Sequence, residues 1–130
     1  MTEATEFPPL DMPGLPPEAK SVTRARHALS DYARRVGANV DAVGLVVSEA
    51  VSNSVVHGFP GRSSGSIEVH ATAREGSLLV EITDNGVGLD AVPHQAGLGY
   101  GIPLMGEFSA SLSIGALDPG TRVAASFLLL

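Results

Sequence analysis

The stretch EITDNGVGLD, residues 81–90, decides how this chain folds and where its chemistry lies. An alternating apolar segment ends on Asp84, and the chain then bends through Gly86 and Gly88, which stand one residue apart. Glycine adopts φ values that are closed to other residues and lets the backbone approach a flat ring closely. Asp84 could therefore accept a hydrogen bond from the amino group of a ligand. The alternative is a plain surface turn that begins with an aspartate.

Outward from this stretch, hydrophobic alternation with a period of two predicts four strands. Residues 66–73 and 78–84 form one predicted pair, joined by the turn REGS, and residues 109–114 and 121–130 form another, joined by the turn GALDPG. Between the two pairs lies the glycine-rich segment GLGYGIPLMGEF, residues 97–108, whose second half is predicted to be a short helix.

Two helices are predicted ahead of the strands. Residues 16–36 carry apolar side chains at helical spacing, with two prolines at the start and Gly37 at the end. The second helix is predicted from Asn39, a suitable N-cap, to His57, with Gly58 at its C-terminal position. Its many valines favour a strand by propensity. The segment is too long without a turn signal for a typical strand, however, so a largely buried helix is expected.

This order of elements predicts an α/β sandwich, in the sense of an α+β two-layer fold. A mostly antiparallel mixed sheet would be covered on one face by helices. Residues 1–15 are predicted to form an N-terminal arm or edge strand, and residues 16–130 a single domain.

Composition narrows the possible classes of protein. The chain has 130 residues, of which 44% are hydrophobic and only 5% aromatic, so its core must be built mainly of Val, Ala, Leu and Ile. It has no cysteine, which excludes disulfides, thiolate metal sites and cysteine nucleophiles. No signal peptide is recognisable, and no apolar run reaches the roughly 18 residues of a membrane span. We therefore expect a cytoplasmic protein that does not act at a membrane.

Charge argues against nucleic acid as the main partner. The net charge is −6, five of the eight basic residues lie before residue 36, and none lies between Arg74 and Arg122. A nucleic-acid surface would need a basic stripe, and the first helix, the one candidate, interleaves its basic residues with acids.

A polar stripe marks the second helix. Glu49, Asn53 and His57 follow one another at i, i+4 steps and so project along one side of a helix. Asn53 could offer its amide oxygen to a hard cation such as magnesium, and Glu49 could accept a proton. The alternative is the solvated edge of an amphipathic helix.

Two further motifs lie in the C-terminal half. Gly97, Gly99 and Gly101 alternate ahead of a predicted helix, where exposed backbone N–H groups can bind phosphate oxygens. The motif is not a dinucleotide fingerprint, which would require glycine in place of Ile102 and a preceding strand. Thr121 opens the last strand, where most threonines have only a structural role.

The order and setting of these motifs resemble those of the GHKL ATPase superfamily, with its Bergerat fold. Within it the chain resembles most the anti-sigma factor serine/threonine kinases of bacterial partner-switching systems. VSEAVSNSVVHGF, GLGYGIPLMGEF and a first helix that leads directly into the asparagine-bearing helix carry this resemblance, which extends from about Pro9 to Leu130.

The resemblance implies a role for each part of an ATP site. Asp84 would accept from the exocyclic amine of adenine, Gly86 and Gly88 would admit the ring, and Thr121 would support the contact, commonly through water. Asn53 would bind the magnesium that bridges the phosphates of ATP.

It also implies roles in the reaction. Glu49 would be the general base that takes the proton from an attacking serine hydroxyl, and His57 would lie with the nucleotide-binding residues. The backbone of the glycine motif would contact the phosphates, through Gly97, Leu98, Gly99, Tyr100 and Gly101.

The sequence departs from the family pattern in the segment that would form the ATP lid. Between Asp90 and Gly97 it reads AVPHQA, with no lysine or arginine for the γ-phosphate and with His94 as the sole possible cation. In addition, Val56 stands where sensor histidine kinases often have a basic residue, which favours the anti-sigma branch.

Three functions are consistent with this resemblance. The first is an ATP-binding regulator that sequesters a sigma factor, phosphorylates a serine or threonine of a STAS-domain antagonist, and forms a homodimer. The second is a binding module of the same fold that binds nucleotide without transferring phosphate. The third is the catalytic half of a histidine kinase, against which the chain length argues, because no room is left for a dimerising helical hairpin.

Overall fold

The computed structural model of the chain describes residues 7–61, 64–88 and 104–130. Over these residues the chain forms two long helices and a five-stranded sheet, and residues 104–108 add a short helical segment. The elements in chain order are β1 (Leu10–Leu15), α1 (Ala19–Val36), α2 (Val40–His57), β2 (Ile67–Arg74), β3 (Ser77–Asp84), β4 (Ser111–Leu117) and β5 (Gly120–Leu128).

The sheet has the strand order β1-β2-β3-β5-β4, and each of these neighbouring pairs is antiparallel. β2 and β3 are joined by a two-residue turn at Glu75 and Gly76, whose φ angles are 55° and 80°. Positive φ at both positions is typical of the tight turns that match the twist of a β-hairpin. The crossing from β3 to β5 places Asp84 beside Thr121, which brings the ends of two predicted strands together.

The helices cover one face of the sheet, which confirms the predicted two-layer fold. Along β2, β3 and β5, side chains alternate between buried and more exposed positions. The buried set packs with α1 and α2 in one core, which consists largely of Val, Ala, Leu and Ile as the composition predicts. The opposite face carries polar side chains, including the ion pairs Glu81–Arg122 and His70–Asp11.

The helix ends follow from local chemistry. The side chain of Asn39 caps α2 by accepting from the N–H of Ala42 at 3.0 Å, as predicted. Gly37 ends α1 with a left-handed φ of 92°. α1 begins at Ala19 and not at residue 16, because Glu18 is extended at φ −131° and ψ 155°.

Both ends of the described chain are attached to the first helix. The phenol of Tyr32 donates to the carbonyl of Pro8 at 3.0 Å, and the N–H of Leu130 donates to the carbonyl of Gly37 at 2.7 Å. Burial raises the pKa of Tyr32, so this hydroxyl remains a donor at neutral pH. Each contact therefore holds a terminal segment against the helical layer.

The end of β4 differs from the sequence-based expectation. The predicted strand ends at residue 114 and is followed by the turn GALDPG, but β4 continues to Leu117 because Gly115, Ala116 and Leu117 still pair with β5. Gly58 caps α2 as predicted, in the right-handed region at φ −76°, and its carbonyl accepts a hydrogen bond from the loop described below. Among the described residues, no helix is both long enough and apolar enough to cross a membrane.

Candidate functional site

Asp84 is the buried centre of the candidate site. It ends β3, and only 7% of its surface is exposed. One carboxylate oxygen, Oδ2, accepts from the hydroxyl of Ser54 at 2.6 Å, and the other, Oδ1, accepts from the N–H of Gly86 at 3.0 Å. An ionised carboxylate has about four acceptor positions. Each oxygen therefore keeps capacity for a donor from a ligand.

The loop after β3 lies directly against the end of α2. The N–H of Val87 donates to the carbonyl of Gly58 at 2.8 Å. A Cβ added at Gly86 would overlap the same carbonyl group. Gly86 is thus required by close approach to the helix end, whereas Gly88 is required by its φ of +85°. The sequence-based expectation of unusual φ is confirmed for Gly88 and was wrong for Gly86.

This contact predicts a large effect of Gly86→Ala. The added methyl group would have to displace the helix end or the loop, so we expect a loss of roughly 1–3 kcal/mol in the free energy of unfolding. Urea denaturation measures it. Gly115→Ala is the matched control, because a Cβ there meets nothing within 4 Å. Equal stability of the two variants would contradict the tight contact.

The start of β5 packs directly against Asp84. Gly120 has a φ of +113°, and a Cβ there would overlap the carbonyl oxygen of Asp84. A Cβ at Gly88 would in turn lie 3.2 Å from the carbonyl oxygen of Gly120. Thr121 follows at a half-buried position, opposite Asp84 in the strand register. Backbone thus approaches backbone here with no room for side chains.

Glu49, Asn53 and His57 all lie on α2, as predicted, and all three are half-buried. Within the parts of the chain that the structure describes, their side chains have no hydrogen-bond or ion-pair partner. Asn53 immediately precedes Ser54, and successive residues are about 100° apart around a helix. The helix therefore directs Ser54 at Asp84 and leaves the polar stripe on the adjoining side.

The polar side chains of α2 fit a cation that takes most of its ligands from water and substrate. In residues 7–61, 64–88 and 104–130, no group of three or more His, Asp or Glu side chains could hold a metal alone. Magnesium is typically bound by one or two protein oxygens together with water and substrate phosphates. The amide oxygen of Asn53 is a suitable donor for such an ion.

Comparison with known proteins agrees with this geometry. A model of the histidine kinase-like ATPase domain matches residues 15–127, which is most of the chain. The chain belongs to this family. The GHKL resemblance inferred from the motifs is therefore confirmed.

This histidine kinase-like ATPase domain is similar in sequence to proteins that are named as kinases and anti-sigma factors. It is 35% identical over 107 residues to a serine-protein kinase RsbW of Listeria monocytogenes, covering 79% of this chain and 66% of the relative. It is also 35% identical over 72 residues to an anti-sigma F factor of Clostridium botulinum, covering 53% of this chain and 50% of the relative. The chain thus spans between half and about two-thirds of these relatives.

A solved structure supports the fold of the histidine kinase-like ATPase domain. The RsbU and RsbW domains of a Mycobacterium tuberculosis protein match it with a TM-score of 0.74 over 94% of this chain and 32% of that one, at 23% identity. At that identity the likeness bears on the fold alone.

Part of the expected ATP site lies outside the described residues. This applies to the lid segment with His94 and to the glycine motif with Gly97, Leu98, Gly99, Tyr100 and Gly101. Residues 104–108, which follow the motif, are helical as predicted.

Sequence reasoning missed Ser54 and Gly120. Ser54 is 8% exposed and stands among buried valines and alanines of α2. A hydroxyl on the apolar side of a valine-rich helix was the available signal, since a buried polar group needs a partner. Gly120 had a weaker signal, its place immediately before Thr121.

Proposed function

We propose that this protein is an ATP-binding anti-sigma factor and a protein serine/threonine kinase. It would hold a sigma factor and phosphorylate a serine or threonine of a STAS-domain antagonist, so that phosphorylation sets which partner is held. The observation that carries the proposal is the carboxylate of Asp84, buried and held by two donors beside the Glu49–Asn53 side of α2. The name anti-sigma F factor of one relative supports a sigma factor as partner, and the name serine-protein kinase of another supports transfer to serine. The STAS-domain antagonist follows from the family resemblance.

Asp84 supports selection of adenine. The exocyclic amine of adenine can donate to the carboxylate, whereas guanine presents an oxygen at that position. Two acceptors would then face each other in a buried place, which is unfavourable. Gly86, Gly88 and Gly120 add no side chain beside Asp84, and Thr121 stands opposite it in the neighbouring strand.

Asn53 and Glu49 support phosphoryl transfer. Asn53 would hold magnesium, which when bound neutralises phosphate charge. Glu49 would take the proton from the attacking hydroxyl while its oxygen bonds to the γ-phosphorus. The bond between the γ-phosphorus and the oxygen bridging it to the β-phosphorus would break, and ADP would leave with that oxygen. Such transfer depends mainly on positioning and charge neutralisation, and magnesium would supply the neutralising charge here.

The domain organisation, the oligomeric state and the cellular location of the protein are proposed on the same basis. Residues 16–130 would act as one ATP-binding domain with residues 1–15 as an arm or edge strand, in a cytoplasmic homodimer. Neither nucleic acid nor a membrane would be a direct partner.

Incubation of the purified protein with magnesium, radiolabelled ATP and a STAS-domain antagonist tests the proposal. We expect label to accumulate as phosphoserine or phosphothreonine on the antagonist, up to one phosphate per molecule. Sequestration is measured in parallel by capture of a sigma factor with and without ATP.

One sequence feature favours the second candidate, a nucleotide-dependent binding module. No lysine or arginine occurs between Arg74 and Arg122, so the chain offers little positive charge to the γ-phosphate. Tight ATP binding without any labelled antagonist would select this module and reject the kinase. Failure to bind ATP would reject both.

A further inference from the structure

A buried hydrogen bond joins α2 to the end of β3. The hydroxyl of Ser54 donates to Oδ2 of Asp84 at 2.6 Å, and the two residues are 8% and 7% exposed. Nothing in the fold alone requires a carboxylate there, because the neighbouring inward positions of β3 are apolar. The pair is a polar feature built into an apolar core.

The two donors on Asp84 together fix the plane of its carboxylate. Gly86 holds Oδ1 through its N–H, and Ser54 holds Oδ2 through its hydroxyl. A terminal carboxylate has a broad torsional preference. With one oxygen held, the group could still swing about its last torsion, and with both held it cannot.

We propose that Ser54 is a positioning residue for recognition of the nucleotide base. By fixing the carboxylate of Asp84, it directs a free acceptor position at the exocyclic amine of adenine and so contributes to selection of amine-bearing purines. The inference rests on the proposed function, because it concerns the same nucleotide site.

The competing explanation is that Ser54 only stabilises the fold, and the chain contains a suitable standard for that effect. Ser21 is fully buried in α1, and its hydroxyl donates to the carbonyl of Pro16 at 2.6 Å. Ser21→Ala removes a bond of the same length from a buried serine that does not contact Asp84. It reports the stability cost without the positioning effect.

The experiment compares two nucleotides on three proteins. Wild type, Ser54→Ala and Ser21→Ala are titrated with magnesium ATP and with the triphosphate of purine riboside, which lacks the exocyclic amine. Urea denaturation of each protein confirms that it is folded. Ser54→Thr, which restores a hydroxyl, is the rescue variant.

Positioning predicts an effect that depends on the amine. Ser54→Ala should weaken ATP binding by about 5- to 10-fold and binding of the purine analogue by less than about twofold, since only the former uses the oriented acceptor. Ser21→Ala should leave the ratio of the two affinities unchanged. Ser54→Thr should recover most of the preference for ATP.

Other outcomes overturn the inference. If Ser54→Ala weakens both nucleotides by the same factor, or neither, Ser54 has only a structural role. In that case the proposed function stands, because wild type still binds ATP. If wild type binds no ATP, the proposed function fails and the positioning role fails with it.

Discussion

Glu49→Gln is expected to lower the rate of phosphoryl transfer to a STAS-domain antagonist by about 100- to 10,000-fold, the usual contribution of a general base. Glutamine keeps the size and shape of the side chain but cannot accept the proton of the attacking hydroxyl. Glu49 is half-buried on α2 and has no partner among the described residues. The substitution should therefore leave stability and ATP affinity close to those of wild type.

Single-turnover transfer with saturating magnesium ATP measures this effect apart from binding. Glu68→Gln is the matched control, because it removes the same charge from an exposed position of β2 on the uncovered face of the sheet. Glu68→Gln should transfer phosphate at the wild-type rate. If Glu49→Gln keeps more than about a hundredth of that rate, which is the lower limit above, Glu49 is not the base.

The layers of the fold could be predicted because they follow from periodicity. Alternation in β2 and β3 separates Ile67, Val69, Val80 and Ile82 from polar neighbours, and the structure buries these four side chains. The valine-rich second helix was identified by its length against its strand propensity. In both cases one local pattern decides the element and the face that it buries.

The contacts of the candidate site could be predicted only in part. Asp84 and Gly88 stand in a short motif whose local chemistry is visible in the sequence. The pairing of Asp84 with Ser54 joins residues 30 positions apart, and it depends on how α2 packs on the sheet. No local sequence pattern can show that two residues so far apart in the chain are in contact.

The role of Gly86 was misjudged for the same reason, because it depends on a contact between distant parts of the chain. Its sequence setting suggested a special φ, whereas the structure shows close approach to Gly58 at the end of α2. Strand boundaries at β4 were misjudged for a related cause, since pairing with β5 continues through Gly115. Tertiary contacts outweighed local preference at each of these positions.

Asp84→Asn is expected to weaken ATP binding by about 100-fold, which corresponds to one mispaired buried hydrogen bond. The amide oxygen can accept from the N–H of Gly86, but the NH2 group then lies where Oδ2 was. The hydroxyl of Ser54 can rotate and accept from it, so the fold should survive. The remaining amide hydrogen would face the amine of adenine, donor against donor.

The same exchange should change base preference. An amide NH2 can donate to the oxygen that guanine presents in place of the amine, so the ratio of ATP to GTP affinity should fall in Asp84→Asn. Calorimetric titration with both nucleotides measures it, and Asp11→Asn, at an exposed residue of β1, is the control for charge. Because Asp84 is the one acceptor to which we assign the adenine amine, ATP affinity within threefold of wild type in Asp84→Asn would remove the base-recognition role.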